Sequence, residues 1–201
     1  MHGTSCSGTG HGEALHAGTF IHGVEGKKVL GMHAYCLFCE TQKCERIAQT
    51  IQSRYGIRSI SPRVIQRKWV KGQCLEEAHQ WLPGYIFLYT EEPMVPFFPV
   101  PGIIRWLEEK ELTGQDLLFA ETILRQDGVM GTVRLAQVGD RCQIADPAWE
   151  NVRGTIVKID RSRKRCCLEF EFAGVKRSVW VGYELVKPDD ALLSENSPKM
   201  K

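Results

Sequence analysis

The sequence predicts an α+β protein of two units, a mixed sheet with helices followed by a small five-stranded barrel. Three observations point there. A strand and an amphipathic helix open the patterned part of the chain at 34–56, and the apolar stretch WLPGYIFLY occupies 81–89. Beyond residue 136 the hydrophobic period switches to two. At 201 residues and 43% hydrophobic, the chain suffices for one ordinary domain or two small ones.

Residues 1–31 hold eight of the nineteen glycines and four of the six histidines, without apolar periodicity, so they read as a disordered or mis-assigned extension with Met32 as a candidate start. From Ala34 to Phe38 the chain predicts a strand. Thr41 then caps a helix whose Cys44, Ile47, Ala48, Ile51 and Tyr55 follow the i, i+3, i+4, i+7 rule and which Gly56 ends. A second strand is expected over Ile57–Val64, an exposed basic hairpin or loop over Trp69–Leu75, and a third strand over 84–89. Pro93, Pro96, Pro99 and Pro101 exclude a long helix before a strand at Ile103–Trp106. Thr113-x-x-Asp116 resembles a capping box for a helix that buries Leu117, Ala120, Ile123 and Leu124 up to Gln126.

The mixed sheet therefore spans 33–127, and the glycine-interrupted segment 128–136 reads as a linker. Within 137–188, five short strands are expected at Arg141–Ile144, Thr155–Ile159, Cys166–Phe172, Lys176–Val181 and Glu184–Val186. The polar tail 189–201 is expected to be loose.

Composition narrows the function classes. The apolar runs are shorter than the roughly 18–20 residues of a membrane span. With no basic region followed by an apolar core at the N-terminus, the expected compartment is the cytoplasm and no membrane association is expected. The eight cysteines have irregular spacing and are expected as thiols; Cys36-x2-Cys39-x4-Cys44 lacks a fourth ligand and reads better as small buried hydrophobes than as a metal site. No metal and no cofactor are expected. Nor does a catalytic motif stand out: Cys74 and His79 would be a nucleophile and base without an orienting partner.

Net charge is only +2, but the cations cluster. Arg58, Arg63, Arg67, Lys68 and Lys71 occur with no acidic residue between them, and Arg161, Arg163, Lys164 and Arg165 crowd one turn. Either cluster attracts phosphate or merely solvates a turn. Around the second lie Arg141, Arg153, Lys158, Lys176 and Arg177, giving ten basic against seven acidic residues in 137–188. Arginines at a rigid turn suit an RNA hairpin loop, and Trp149 and Trp180 are candidate stacking platforms, with core packing the better role for Trp180. In WLPGYIFLY, alternation sends Ile86 and Leu88 to one side and Tyr85, Phe87 and Tyr89 to the other. That outer aromatic row meets either a partner or another part of its own domain.

Three stretches resemble the NusG family of transcription elongation and antitermination factors, with an NGN domain followed by an SH3-like KOW barrel. Tyr35-Cys36-Leu37-Phe38 before a helix looks like the family's first strand, with Ala34 in place of a tryptophan. Trp81-Leu82-Pro83-Gly84-Tyr85-Ile86-Phe87-Leu88 resembles its Pro-Gly-Tyr strand and is the most specific match. Val138-Gly139-Asp140-Arg141 through Ile159 resembles the KOW motif, with Gly139, Gly154 and Ile156 in register, although Pro147-Ala148-Trp149 stands where Gly-Pro and a bulky apolar residue are usual. The resemblance covers about 33–188. The segment Leu112–Gly131, the RSRKR turn and Ser178-Val179-Trp180-Val181-Gly182 are similar to the LoaP subgroup of specialised bacterial paralogues.

The resemblance implies a non-enzymatic, monomeric bacterial protein. It implies contact of Trp81, Leu82, Pro83, Tyr85 and Phe87 with the clamp helices of RNA polymerase, and a DNA-facing role, toward upstream or non-template DNA, for Arg63, Arg67, Lys68 and Lys71. RNA, in the form of a structured hairpin, is the expected ligand of Arg141, Arg153, Lys158, Arg161, Arg163, Lys164, Arg165, Lys176 and Arg177. Two alternatives of other classes are a ribosome-associated RNA-binding KOW protein, against which the Pro-Gly-Tyr strand argues, and a cysteine-dependent enzyme.

Overall fold

Strand β1 (His33–Cys39) sends alternate side chains to opposite faces, and both faces are apolar, so the sheet that contains it must be covered twice. The computed structural model describes residues 31–94, 99–107, 110–138 and 141–187. The glycine- and histidine-rich extension up to residue 30, Gly139-Asp140 of the barrel motif and the polar tail lie outside the described residues.

Helix α1 (Cys44–Tyr55) covers one face through Cys44, Ile47, Ala48 and Ile51, and ends on left-handed Gly56, whose N–H donates to the Gln52 carbonyl. The expected Thr41 cap does not form. A 3₁₀ turn at Thr41–Lys43 precedes the helix, and the Glu40 carbonyl accepts from the Lys43 N–H. The predicted second strand divides at Ser61-Pro62, where proline has no N–H to continue a ladder. Its first half is β2 (Arg58–Ile60), in the central sheet; the second becomes β3 (Arg63–Val70), which pairs with β4 (Gln73–Gln80) across a Lys71-Gly72 turn with both φ positive.

Next comes β5 (Tyr85–Thr90), entered by a tight turn in which the Tyr85 N–H donates to the Leu82 carbonyl. Gly84 is required there: its φ is +90°, and a Cβ would sit 2.9 Å from the Phe38 ring. With β6 (Ile103–Trp106) the sheet order is β2-β5-β1-β6. Tyr35, Leu37, Ile86 and Leu88 lie under α1. Ala34, Cys36, Tyr85, Phe87 and Tyr89 face the other way, toward α2 (Gly114–Arg125). The capping box is not made: Thr113 caps without a side-chain bond, and the Asp116 carboxylate accepts from the backbone N–H of Ala173.

The expected linker is largely strand. β7 (Val129–Met130) pairs in parallel with β3, and β8 (Val133–Val138) pairs in parallel with the last strand of the chain. Only Gly131-Thr132 separates them. Met130, Val133 and Leu135 are buried, and their alternation is what glycine interruption concealed in the sequence. The second unit adds β9 (Arg141–Ile144), a 3₁₀ turn (Pro147–Val152), β10 (Thr155–Asp160), β11 (Arg165–Phe172) and β12 (Val175–Val186), in the order β10-β11-β12-β8-β9. The strands expected at Lys176–Val181 and Glu184–Val186 are thus one, and the fifth place is taken by β8. Gly182 keeps β12 unbroken at a close approach, since a Cβ there would lie 2.8 Å from Thr132. The molecule is mixed α+β with three sheets and two α-helices among the described residues.

Gly128 joins α2 to β7 at φ +83°, with its carbonyl accepting from the Arg63 N–H and a virtual Cβ 2.5 Å from Ile60. Gly128→Ala is expected to destabilise by about 2–3 kcal/mol through strain and overpacking together, read as a lower denaturant midpoint with unchanged slope.

Candidate docking face and nucleic-acid interface

The outer aromatic row of β5 is covered in this conformation. Phe87 is 0% and Trp81 3% exposed, Leu82 and Tyr85 are also buried, and Pro83 alone of the five expected polymerase contacts is exposed. The row divides between two neighbours. Tyr89 belongs to its own unit, where its hydroxyl donates to the Ala120 carbonyl at 2.7 Å and burial pushes its pKa well up. Tyr85 and Phe87 instead meet Phe172 of β11, with ring centroids 5.7 and 5.3 Å away. Phe119 of α2 stacks on Phe170 at 5.5 Å and 12°, and Trp81 packs on Trp149 at 5.3 Å. One core therefore runs through both units. Phe119 lies outside the stripe expected for α2 and is buried because Phe170 and Phe172 of the second unit cover a further side of the helix.

Polar contacts edge this seam. The Arg177 guanidinium lies 5.3 Å over the Tyr85 ring and donates to its hydroxyl at 2.7 Å. Arg67, 14% exposed in its side chain, donates to Glu76 at 3.1 Å within its hairpin, and across the seam to Glu184 at 2.6 Å and to the Tyr183 carbonyl at 3.2 Å. The Glu184 hydrogen bond raises the Arg67 pKa further. Gln115 donates to the Asn151 carbonyl.

The structure separates the basic residues that the sequence grouped. Of the stretch expected to face DNA, Arg67 is committed to the seam, Arg63 is half-buried, Lys68 lies 3.9 Å from Glu77, and Lys71 is exposed at the hairpin turn. Arg58 pairs with Asp127. In the second unit Arg161, Arg163 and Lys164 are exposed together on the turn after β10. The Asp160 carboxylate organises that turn by accepting from Ser162 at 2.7 Å, the Arg163 N–H at 3.1 Å and Arg165 at 3.2 Å. The Ser162 hydroxyl foremost, then the Arg163 N–H and Arg165, hold its pKa below the usual carboxylate value. Lys158 is exposed on β10 and Arg141 begins β9. Arg177 is instead an interface residue, Lys176 pairs with Glu169 at 3.4 Å, and Arg153 lines a separate cleft with Gln115 and Asp116. The tryptophans exchange the roles expected of them: Trp149 is 2% exposed, whereas Trp180 is half-buried with the Arg165 guanidinium 4.6 Å over its ring.

Cys36 lies on the α2 side of the central sheet, and Cys39 and Cys44 on the α1 side, so the three thiols do not converge. Burial raises all three pKa values, that of Cys39 to about 12. Cys74 and His79 lie five residues apart in β4 and so point to opposite faces of the strand, which separates the candidate nucleophile from its base. Among the described residues no helix is long and apolar enough to cross a membrane.

No family model matches the chain, and no curated protein matches it. Among solved structures it is similar to one described as "Domain interaction in Thermotoga maritima NusG", with a TM-score of 0.45 and 17% identity over 75% of this chain and 93% of that one.

Two outcomes are expected at these sites. Tyr85→Phe removes the acceptor that holds Arg177, and a hydrogen bond to a charged group contributes about 1.5–3 kcal/mol, so limited proteolysis should cut faster near Gly131-Thr132. The lowered Asp160 pKa means that its stabilisation is complete above the unfolded carboxylate value of about 3.9 and is lost as pH falls through the folded value. Asp160→Asn should therefore flatten the acid limb of the stability profile below about pH 4, measured by thermal melts across pH.

Proposed function

We propose that this chain is a NusG-type transcription elongation and antitermination factor, of the specialised LoaP kind. Its first unit docks on the clamp helices of RNA polymerase through Trp81, Leu82, Pro83, Tyr85 and Phe87, and the turn Arg161–Arg165 of its second unit binds an RNA hairpin. The observation that carries the reading is the Pro83-Gly84-Tyr85 strand: it forms an aromatic face at the centre of an α/β sheet, closed over Tyr85 and Phe87 by the second unit. The order of units agrees with the sequence resemblance, an α/β domain first and a basic five-stranded unit second.

No chemistry is performed in this reading; the factor acts by binding the elongating polymerase better than the paused one. The covered face adds a condition. Polymerase and the second unit compete for Tyr85 and Phe87, so docking requires the second unit to swing aside about Gly131-Thr132. If the open form is about 1% populated, apparent affinity falls by about a hundredfold.

Retention on immobilised core polymerase tests this. Phe172→Ala, which weakens the cover, is expected to raise retention, and adding Tyr85→Ala with Phe87→Ala is expected to abolish it, with circular dichroism confirming that each variant is folded. Retention indifferent to all three substitutions would sink the docking assignment. For the turn, neutralising Arg161, Arg163 and Lys164 to glutamine, with Arg165 left in place to hold the turn, should lower RNA affinity and reduce its salt dependence; equal affinity refutes that part alone.

A further inference from the structure

A groove of about 580 Å³ lies at the seam, lined by Arg67 from β3 and by Arg161, Lys164, Tyr183, Glu184 and Leu185 from the second unit. Its three cations are not equally satisfied. Arg67 is held by Glu76 and Glu184, whereas Arg161 and Lys164 form no ion pair with a carboxylate among the described residues. Glu184, about half exposed at 53% in its side chain, places a carboxylate oxygen 2.6 Å from the Arg67 guanidinium. A guanidinium accepts a phosphate in the same forked manner as a carboxylate. Leu185, 58% exposed, gives the groove an apolar contact for a ribose or base.

We infer that this groove is an RNA phosphate site shared by the two units, in which a backbone phosphate displaces Glu184 from Arg67 and is held at the same time by Arg161 and Lys164. The inference rests on the reading of the turn as RNA-binding and deepens it. A turn-only site needs nothing from the first unit, whereas the shared site exists only while the second unit is seated against β3. RNA then favours the closed arrangement, and by reciprocity polymerase docking, which opens the seam, weakens the hold on RNA. Gly182 controls the approach without carrying charge, because a Cβ there would meet Thr132 at 2.8 Å and the Arg67 stem at 3.3 Å.

The test uses the full chain and a fluorescent RNA hairpin of about 20 nucleotides with an unpaired loop, titrated at several salt concentrations. Arg67→Gln is expected to weaken binding about tenfold and to lower the salt slope by about one, with Arg67→Lys restoring the slope. Gly182→Ala, with every cation retained, should weaken binding about fivefold. Glu184→Gln, which removes the competing charge, should tighten it about threefold. If neutralising Arg161 and Lys164 weakens binding while Arg67→Gln, Gly182→Ala and Glu184→Gln change nothing, the turn binds RNA alone and the shared site is wrong. No RNA binding by the wild-type chain overturns both readings. Equal binding of a DNA hairpin of the same sequence overturns the assignment to RNA.

Discussion

The aromatic side of β5 has to be covered, and most of the architecture follows from how that is done. Tyr85, Phe87 and Tyr89 project from the middle of a four-stranded sheet, and α2 alone is too narrow to shield all three. It reaches Tyr89 and Phe87, leaving Tyr85 and one flank of Phe87 to Phe172, while Phe170 packs on Trp81 and Phe119. Because α2 then has apolar contacts on two sides, Phe119 is buried as firmly as Ala120. Its first turn gives up the local capping box so that Asp116 can bond the Ala173 N–H. Local helix chemistry has yielded to contact between the units.

Much of this was legible in the sequence where one element decides its own environment. The periodicity of α1 from Cys44 to Ile51, the division of WLPGYIFLY into an inner pair and an outer row, and the period-two burial of Leu168, Phe170 and Phe172 all depend on local geometry and stand in the structure. Tyr55, expected on the buried stripe, is instead 40% exposed at the last position of α1. What was not legible depends on a second element arriving. Trp149 and Trp180 have the same chemistry in sequence, and it is packing across the seam, with Trp81 against its ring, that makes the first a core residue. Likewise Val133 and Leu135 look like a linker until β12 is there to pair with them. The candidate site suffered most, since Arg67, Arg177 and Lys176 read as free cations in a charge count and prove to have acceptors brought from 9 to 117 positions away or, for Lys176, seven.

The same rearrangement concentrates the unengaged positive charge. With Arg165 and Lys176 paired, three exposed cations of the second unit, Arg161, Arg163 and Lys164, sit together on the turn whose backbone Asp160 holds, while Arg153, Lys158 and Lys187 are exposed elsewhere. The fixed backbone of the turn leaves the exposed side chains of Arg161, Arg163 and Lys164 as the groups that a ligand would have to order. Pairing Arg165 with both Asp160 and the Trp180 ring makes it a brace for the turn rather than a contact.

Whether such a seam can open depends on how well it is satisfied. Its aromatic contacts are those of a core, but its polar ones are incomplete. Among the described residues, the buried side-chain atoms without a hydrogen-bond partner are Trp81 Nε1, Gln115 Oε1 and Arg177 Nε, and all three belong to residues at the junction of the units. A buried polar group left unpaired costs about 1–3 kcal/mol, so these defects remove a good part of what the buried rings contribute. Each unit, by contrast, has its own paired strands and α1 its own apolar interface with the sheet. Separation along the seam relieves the three defects at once and leaves the ladders of both units intact, which offsets part of the cost of exposing the buried rings.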